Sequence, residues 1–544
     1  MDSASRQTIH QLARCVSLWL LACCPAFGLA APDPASTRLE ARILDDATGQ
    51  PLAARVAITN ADGKFLEIEG DHAHVQYLGK RWCYVDGTFA VSIPASGADI
   101  EIRRGFETRP LSETILCDAS GKIIQKEFRL RRWSNLGQKG YVNGDIHAHQ
   151  PIPKEALLQM RAEDLNALNL LHLADKDNDY PISACFSGRL DTNSTPGSEI
   201  YVGQEIRDFQ MGHLNLLNLT NLVGGYPDMG GGMEFWKMKP HWDLVPAMRA
   251  ARAQNGIVFW AHICSLPGEQ LPIGIALGLV DGVELITWSD PTQLPNHCEP
   301  WDWSGMSQAE FPVMRAMDLY YQFLNAGFRL PIGAGTDKFS EEIPFGSNRV
   351  FARVNGETNY ASWMATVKAG KSFVSNGPIL DFEADGHGPG DVISFQGTRQ
   401  IKAKVTARSI LPFNMLEIVC NGESVGRKVL STYRNPAVDG VYSMEIETTV
   451  ELKRSGWLAA RVIDNPDLRN PILPRNASVF AHTSPVYFLR DGRKVREEAS
   501  IAYLRKYVEG VIHWLGTKPE FVRDEDLINA RREAEEALRY YRNL

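Results

Sequence analysis

The sequence has few cysteines, and none of them form a CxxC pair. Nine cysteines occur in 544 residues, and three of these fall within the first 24. The other six are scattered along the chain, so they give no framework of closely spaced cysteines. A disulfide between Cys83 and Cys117 and buried free thiols both stay open, because spacing alone does not fix a pairing.

The sequence also lacks long basic runs, low-complexity tracts and internal repeats. Its net charge is −8, with 44% hydrophobic and 22% charged residues. This composition is typical of a folded globular protein and gives no reason to expect a nucleic-acid partner. A chain of 544 residues is too long for one ordinary core, which predicts several domains.

A long apolar run occurs only near the N-terminus. Arg6 and Arg14 precede the apolar residues 16–24, and Gly28 and Ala30 give a small-x-small cleavage site. This pattern predicts a signal peptide over residues 1–30 and export across an inner membrane to a periplasm. A lipid anchor on Cys23 is the alternative. No later segment is apolar enough to predict a membrane span.

The pattern of strands and helices changes along the chain. Short alternating strands predict a β-sandwich over 31–135 and a second one over 389–495. Between them, over 136–388, strands alternate with amphipathic helices, which predicts an α/β fold with a parallel sheet closed into a barrel. Residues 496–544 read as a helical, charged tail. The HxH of His72 and His74 lies in a polar loop, and we expect no metal role for it.

Metal-competent side chains stand at the ends of successive predicted strands. GDIHAH (144–149) supplies two histidines, and the later strand ends supply one carboxylate or imidazole each. In such barrels the strand ends meet at one face, and burying each group alone would cost several kcal/mol. We therefore predict a metal site. Its predicted ligands are His147, His149, Glu205, His213, His262 and Asp337.

The order of these ligands resembles the PHP (polymerase and histidinol phosphatase) superfamily of metal-dependent hydrolases. The stretches GDIHAH, VFWAH and WMATVKAGKSFVSNGPIL look like its carbaryl-hydrolase-like (CehA/McbA) branch, and DDATGQPLAARVAI (45–58) resembles a prealbumin-like domain. The resemblance implies a PHP-type distorted (β/α) barrel flanked by β-sandwiches.

The resemblance also implies how the ligands divide between two metals. It assigns His147, His149, Glu205 and Asp337 to a first metal. Glu205 would bridge to a second metal, held also by His213 and His262. Such ligands suit zinc, with manganese or iron as alternatives.

This sequence departs from the superfamily pattern at a third metal site. Lys176 and Phe339 stand where histidines would be expected. The departure implies two metals, which suit a carbonyl substrate better than a phosphate monoester. A metal or Lys176 would then stabilise the negative charge that develops in the reaction, and Asp175 would orient Lys176 or one of the metal ligands. A salt bridge with no catalytic share is the alternative for Lys176.

The predicted function is an exported dinuclear hydrolase that cleaves a carboxylic or carbamic ester or an amide bond of a small molecule with a metal-activated hydroxide. A phosphoesterase is the first alternative, and an exported binding protein without catalysis is the second. Arg349, in PFGSNR, could bind a polar substrate group at the mouth of the site, or it is a plain surface arginine. The natural substrate and the oligomeric state do not follow from the sequence.

Overall fold

The computed structural model describes residues 36–117, 123–173, 182–208, 210–226, 240–263, 268–287, 311–430, 439–463 and 479–544, without the side chains of 311–314. The predicted signal peptide lies outside these residues. Cys83 and Cys117 are both free thiols, so the disulfide between them is not formed.

Eight strands form two sheets in the N-terminal region. They are β1 (Thr37–Asp45), β2 (Ala53–Asn60), β3 (His74–Tyr77), β4 (Lys80–Asp86), β5 (Thr88–Ile93), β6 (Ala98–Arg103), β7 (Leu111–Ile115) and β8 (Ile124–Leu130). The sheet orders are β5-β1-β8 and β3-β4-β2-β6-β7. Strand β1 buries every second residue, including Leu39, Ala41 and Ile43, and these side chains share one apolar core with Val56 and Ile100.

A sheet of 15 strands forms the centre of the molecule. Its order is β15-β14-β13-β12-β11-β10-β9-β16-β17-β25-β24-β21-β22, with β26 on β24 and β19 on β26. The strands are β9 (Tyr141–Ala148), β10 (Ala167–Leu173), β11 (Glu199–Asp208), β12 (Gly212–Leu217), β13 (Ile257–Trp260), β14 (Gly282–Ile286), β15 (Ile332–Ala334), β16 (Arg349–Arg353), β17 (Ser372–Ser375), β19 (Val392–Phe395), β21 (Met415–Cys420), β22 (Glu423–Val429), β24 (Gly456–Ile463), β25 (Phe480–Thr483) and β26 (Val486–Arg490).

The remaining elements are a small sheet and the helices. The small sheet has the order β18-β20-β23 and comprises β18 (Ile379–Ala384), β20 (Arg399–Ser409) and β23 (Tyr442–Leu452). The helices are the 3-10 turn Gly137–Lys139, α1 (Pro153–Ala162), α2 (Ile182–Cys185), α3 (Val245–Ala253), α4 (Leu271–Ala276), α5 (Phe311–Asn325), α6 (Tyr360–Lys368), α7 (Glu498–Gly516) and α8 (Asp524–Asn543).

The prediction of an α/β fold built on a closed PHP-type (β/α) barrel is wrong. Within the described residues, strands contain more residues than helices, and the central sheet does not close into a barrel. A short connection explains much of the error. Only residues 209–211 separate β11 from β12, whereas a parallel crossover needs about a dozen residues, so β12 returns antiparallel to β11.

The C-terminal helices pack on the central sheet and its helices. The Tyr507 hydroxyl on α7 donates a hydrogen bond to the carbonyl of Gly268 at 3.1 Å, and the Tyr541 hydroxyl on α8 donates to that of Pro272 at 2.8 Å. Both tyrosines are buried in the main apolar core. Within the described residues, no helix has the length and apolarity needed to cross a membrane.

Candidate metal centre

One edge of the central sheet carries all six predicted ligands. Strands β9, β11, β13 and β15 run toward this edge, and the antiparallel strand β12 begins there, which places His213 opposite Arg207 in the register. The sequence predicts a strand that begins at His213, and in the structure this strand begins one residue earlier, at Gly212. The six predicted ligands at this edge are His147, His149, Glu205, His213, His262 and Asp337.

Four of these side chains form a first group of potential metal ligands. His147, His149, Glu205 and Asp337 place one donor atom each within 4.8 Å of one another. His149 Nε2 lies 3.2 Å from Asp337 Oδ1 and 3.3 Å from Glu205 Oε2. The other ring nitrogen of His149 donates to the carbonyl of Leu171 at 3.0 Å, which leaves the Nε2 lone pair directed at the group.

Glu205 also belongs to a second group, with His213 and His262. Its Oε1 atom lies 3.1 Å from His213 Nδ1 and 3.6 Å from His262 Nε2. Its Oε2 atom faces the first group instead. The two oxygens of one buried carboxylate therefore point at two different sets of donors, and these residues could hold metal ions.

Burial and charge set the protonation of these groups. Burial by itself would raise the pKa of Glu205, but the charges of Arg207 and His147 hold that pKa well below its usual range. Burial lowers the pKa of His213 to about 3, so its imidazole is neutral at neutral pH. Burial opposes the charge on His147, yet Glu284 and Asp337 raise its pKa well above the usual value.

Asp145 and Glu284 hold His147 in place. Asp145 Oδ1 accepts from the backbone N–H of His147 and of Thr336, and its Oδ2 accepts from the Thr336 hydroxyl and the N–H of Gly346. Burial raises the pKa of Asp145 to about 6 against these hydrogen bonds. Glu284 Oε2 lies 3.1 Å from His147 Nδ1 and accepts from the backbone of His262 at 2.9 Å.

Backbone conformation is unusual at two of the potential ligands. His262 has a φ of 27° and Asp337 a φ of 47°, in the left-handed region that non-glycine residues rarely adopt. Asp337 is held by its N–H, which donates to the carbonyl of His147 at 2.8 Å. Such strain persists only where surrounding contacts impose it, and it is concentrated at functional sites.

Arg207 and Phe339 complete the surroundings of the first group. Arg207 Nε donates to Glu205 Oε2 at 2.5 Å, and its Nη2 lies 3.3 Å from His149 Nε2. The Phe339 ring stacks on the His149 imidazole, with centroids 4.1 Å apart. Phe339 therefore places an apolar ring, which has no donor atom for a metal, beside His149.

The sequence analysis does not predict Glu284, Asn215 or Arg207 as site residues, although the sequence carries a signal for them. Glu284 is a fully buried carboxylate inside the apolar strand GVELI. Asn215, whose Nδ2 lies 3.1 Å from His147 Nδ1, is a fully buried amide inside HLNLL. Arg207 is two residues after Glu205 on the same strand, so both face the same side. A polar or charged residue within an apolar strand is the feature that points to them.

Of the other predicted site residues, Asp175 and Lys176 lie outside the described residues. Arg349 is not at the mouth of the site, because only 1% of its surface is exposed and its Nη2 donates to the carbonyl of Glu163 at 3.1 Å. Its guanidinium also lies 4.1 Å from the centre of the Phe106 ring. The structure thus corrects both readings of Arg349, as a substrate-binding residue and as a surface arginine.

A further group of potential ligands lies in the N-terminal sheets. Cys83 Sγ is 3.2 Å from His74 Nδ1, and His74 Nε2 is 3.9 Å from Glu67 Oε2. These three could hold a metal ion, in contrast to the expectation for His74. Burial raises the pKa of the Cys83 thiol to about 11, and Glu67 pairs with Arg81 at 3.1 Å. Both features favour the metal-free hydrogen-bonded arrangement.

No family model and no curated protein matches this chain. Among solved structures, PsfC from Pseudomonas syringae PB-5123 is similar at 15% identity, with a TM-score of 0.26 over 41% of this chain and 87% of PsfC. Endonuclease Q in complex with a 27-mer duplex bearing an abasic lesion has 13% identity and a TM-score of 0.26 over 42% of this chain and 56% of its own.

The N-terminal four Ig domains of Dscam1 isoform 8.4 show 8% identity and a TM-score of 0.11, over 85% of this chain and 98% of theirs. These TM-scores are too low to support an argument about fold or function.

Proposed function

We propose that this protein is a dinuclear metal-dependent hydrolase that cleaves a carboxylic or carbamic ester or an amide bond of a small molecule. One observation carries the proposal. The Oε2 atom of the buried Glu205 faces His147 and His149 at 3.6 and 3.3 Å, while Oε1 faces His213 and His262 at 3.1 and 3.6 Å. A carboxylate placed between two imidazole pairs is suited to bridge two cations.

The donor set favours divalent transition metals, with zinc as the first choice and manganese or iron as alternatives. Such ions, when bound, act as Lewis acids and lower the pKa of a water molecule toward neutrality. The residues of the chain supply the positioning. Glu284 orients the His147 ring, Asp145 fixes the backbone of His147, and the neutral His213 offers its lone pair.

Phe339 favours two metals over three and therefore a carbonyl substrate over a phosphate monoester. Its ring stacks on His149 and supplies no donor atom on that side of the first group. A phosphate monoester carries two negative charges and benefits from more cations around it than a carbonyl does. Lys176, with Asp175, is proposed as a further cation near the reaction, and a salt bridge without catalytic share is its alternative.

We also propose that the protein is related to the CehA/McbA metallohydrolases and is exported to a periplasm. The ligand order and the quoted sequence stretches support the first proposal, and the pattern of residues 1–30 supports the second. Neither proposal includes the closed barrel, which the sheet order contradicts.

Hydrolysis of 4-nitrophenyl acetate and of 4-nitrophenyl phosphate by the metal-loaded protein tests the proposed function. We expect turnover of the acetate, at most weak turnover of the phosphate, and loss of activity in His147→Ala. His72→Ala is the matched control, because His72 belongs to the other HxH and its ring forms a hydrogen bond with the carbonyl of Glu69 at 2.9 Å. Preferred turnover of the phosphate would identify a phosphoesterase. Activity retained in His147→Ala would place the site elsewhere.

A further inference from the structure

Arg207 lies on the strand that carries Glu205 and contacts the first ligand group. Its Nε donates to Glu205 Oε2 at 2.5 Å. Its Nη2 lies 3.3 Å from His149 Nε2 and 3.8 Å from Asp337 Oδ1. The guanidinium thus touches the bridging carboxylate with one nitrogen and presents a second nitrogen beside the donor atoms.

The exposure of these side chains shows where solvent reaches the group. Glu205 and His147 are fully buried, and His149 is 1% exposed. Arg207 and Asp337 are 15% and 11% exposed. Within the described part of this group, a molecule arriving from solvent therefore meets Arg207 and Asp337 first.

The charge balance makes an anion the natural partner of Arg207. Among the described residues, the carboxylates that contact the histidines of the first group are Glu205, Asp337, Glu284 and Asp145. Two divalent cations would match the charge of these four carboxylates. Arg207 then adds a positive charge beyond that balance, at the solvent-facing side of the centre.

We propose that Arg207 binds an anionic oxygen group of the substrate, a carboxylate or a phosphate, beside the metal centre. This inference rests on the proposed function and narrows its substrates to small molecules with such a group close to the cleaved bond. The planar guanidinium can keep its Nε bond to Glu205 while its Nη atoms turn to the anion in a two-pronged contact.

The Phe339 ring restricts the positions that the guanidinium of Arg207 can adopt. The Arg207 Cζ atom lies 4.8 Å from the centre of the Phe339 ring, which itself stacks on His149. The aromatic face supports the planar cation without competing for its N–H groups. Arg207 is therefore held close to the centre by its contacts with Glu205 and His149 and by the Phe339 ring.

The test compares a charged and a neutral ester on the metal-loaded protein. The kcat/KM of mono-4-nitrophenyl succinate and of 4-nitrophenyl acetate is measured for the wild type, Arg207→Gln and Arg207→Lys, with the metal content of each recorded. Binding of inorganic phosphate is measured separately by calorimetry. Arg461→Gln is the matched control, since Arg461 is 12% exposed and pairs with Glu417 away from the centre.

We expect Arg207→Gln to lower kcat/KM for the succinate ester at least about tenfold more than for the acetate ester. Phosphate affinity falls about tenfold in Arg207→Gln and recovers in part in Arg207→Lys. Arg461→Gln leaves the ratio of the two esters unchanged. Equal losses on both esters, or unchanged phosphate affinity, overturn the inference in favour of a purely structural ion pair.

If the protein is not a hydrolase, the wild type hydrolyses neither ester. The calorimetric comparison of phosphate binding then decides by itself whether Arg207 binds an anion. Weaker phosphate binding in Arg207→Gln than in the wild type and Arg461→Gln supports an anion site at Arg207. Equal phosphate binding in all three overturns it.

Discussion

Asp145 fixes the position of His147 through both of its carboxylate oxygens. Each oxygen accepts two hydrogen bonds, and the four donors come from β9, from Thr336 and from Gly346. Asp145 therefore ties the first histidine of the site to the segment that carries Asp337. The role of Asp145 is to position His147 and the segment of Asp337, because its hydrogen bonds run to backbone groups and a hydroxyl.

Asp145→Asn tests this positioning role. The amide nitrogen cannot accept a hydrogen bond, so at least one buried N–H loses its partner, at a cost of about 1–3 kcal/mol. We expect a lower free energy of unfolding in denaturant titrations and weaker metal binding. Unchanged stability together with unchanged metal affinity would show that the Asp145 hydrogen bonds do not hold the site.

The protonation of His147 predicts how metal binding depends on pH. Burial opposes its charge, but Glu284, Asp337 and Glu205 raise its pKa well above the usual value, so the ring carries a proton at neutral pH. A metal ligand must be neutral, so binding releases this proton and the apparent affinity rises as pH rises. Each proton released changes the affinity by about tenfold per pH unit below the pKa.

Calorimetry in buffers with different ionisation enthalpies measures the released protons. Glu284→Gln provides the comparison, because it keeps the size of the side chain and removes the carboxylate charge 3.1 Å from the His147 ring. We expect Glu284→Gln to release fewer protons than the wild type. Equal release in both proteins would contradict the assigned role of Glu284.

At the scale of elements, the close approach of β9 and the segment after β15 builds the first group. Gly335 lies between them, and a Cβ atom at this position would stand 2.3 Å from both His147 Cβ and Glu284 Oε1. Side chains do not tolerate such distances, so glycine is required here for the two segments to meet.

Gly335→Ala should push β9 and the Asp337 segment apart. We expect metal affinity at the first group to fall by at least about tenfold and the free energy of unfolding to drop by about 1–3 kcal/mol. Gly388→Ala is the control, because nothing lies within 4 Å of a Cβ there. If both variants bind metal like the wild type, the close packing at Gly335 does not matter for the site.

The ligand residues could be predicted from the sequence because each lies in or beside a strand that reaches one sheet edge. This rule holds even for His213, since an antiparallel strand begins at the edge where its neighbour ends. The topology could not be predicted in the same way. The short connection between Asp208 and Gly212 sets the antiparallel direction of β12, and the strand pattern alone does not take the length of this connection into account.

Arg349 shows why tertiary contacts limit such predictions. Its local sequence, PFGSNR, is that of a polar loop, yet Phe106 from the N-terminal region covers its guanidinium. Arg55 and Tyr84 contact Glu163 nearby, at 2.9 Å each. The burial of Arg349 depends on residues more than 200 positions away, such as Asn143, and no local pattern contains that information.

At the scale of the whole molecule, the flanking regions and the ligand sheet form a continuous set of contacts. The N-terminal sheets join the end of α1 through Glu163 and Asp164, which pair with Arg55 and Arg104. Helices α7 and α8 contact the region of the central sheet through Tyr507, which bonds Gly268, and Tyr541, which bonds Pro272. Both flanking regions are thus joined to the region of the predicted ligands by buried groups.

The central claim is that Glu205 bridges two metal ions, and metal content per chain tests it most directly. Elemental analysis of protein dialysed against zinc should give about two equivalents for the wild type, from the two groups that share Glu205. We expect about one equivalent in His213→Ala, which keeps the first group, and almost none in Glu205→Ala. A wild type without stoichiometric transition metal, or two equivalents retained in Glu205→Ala, would contradict the account.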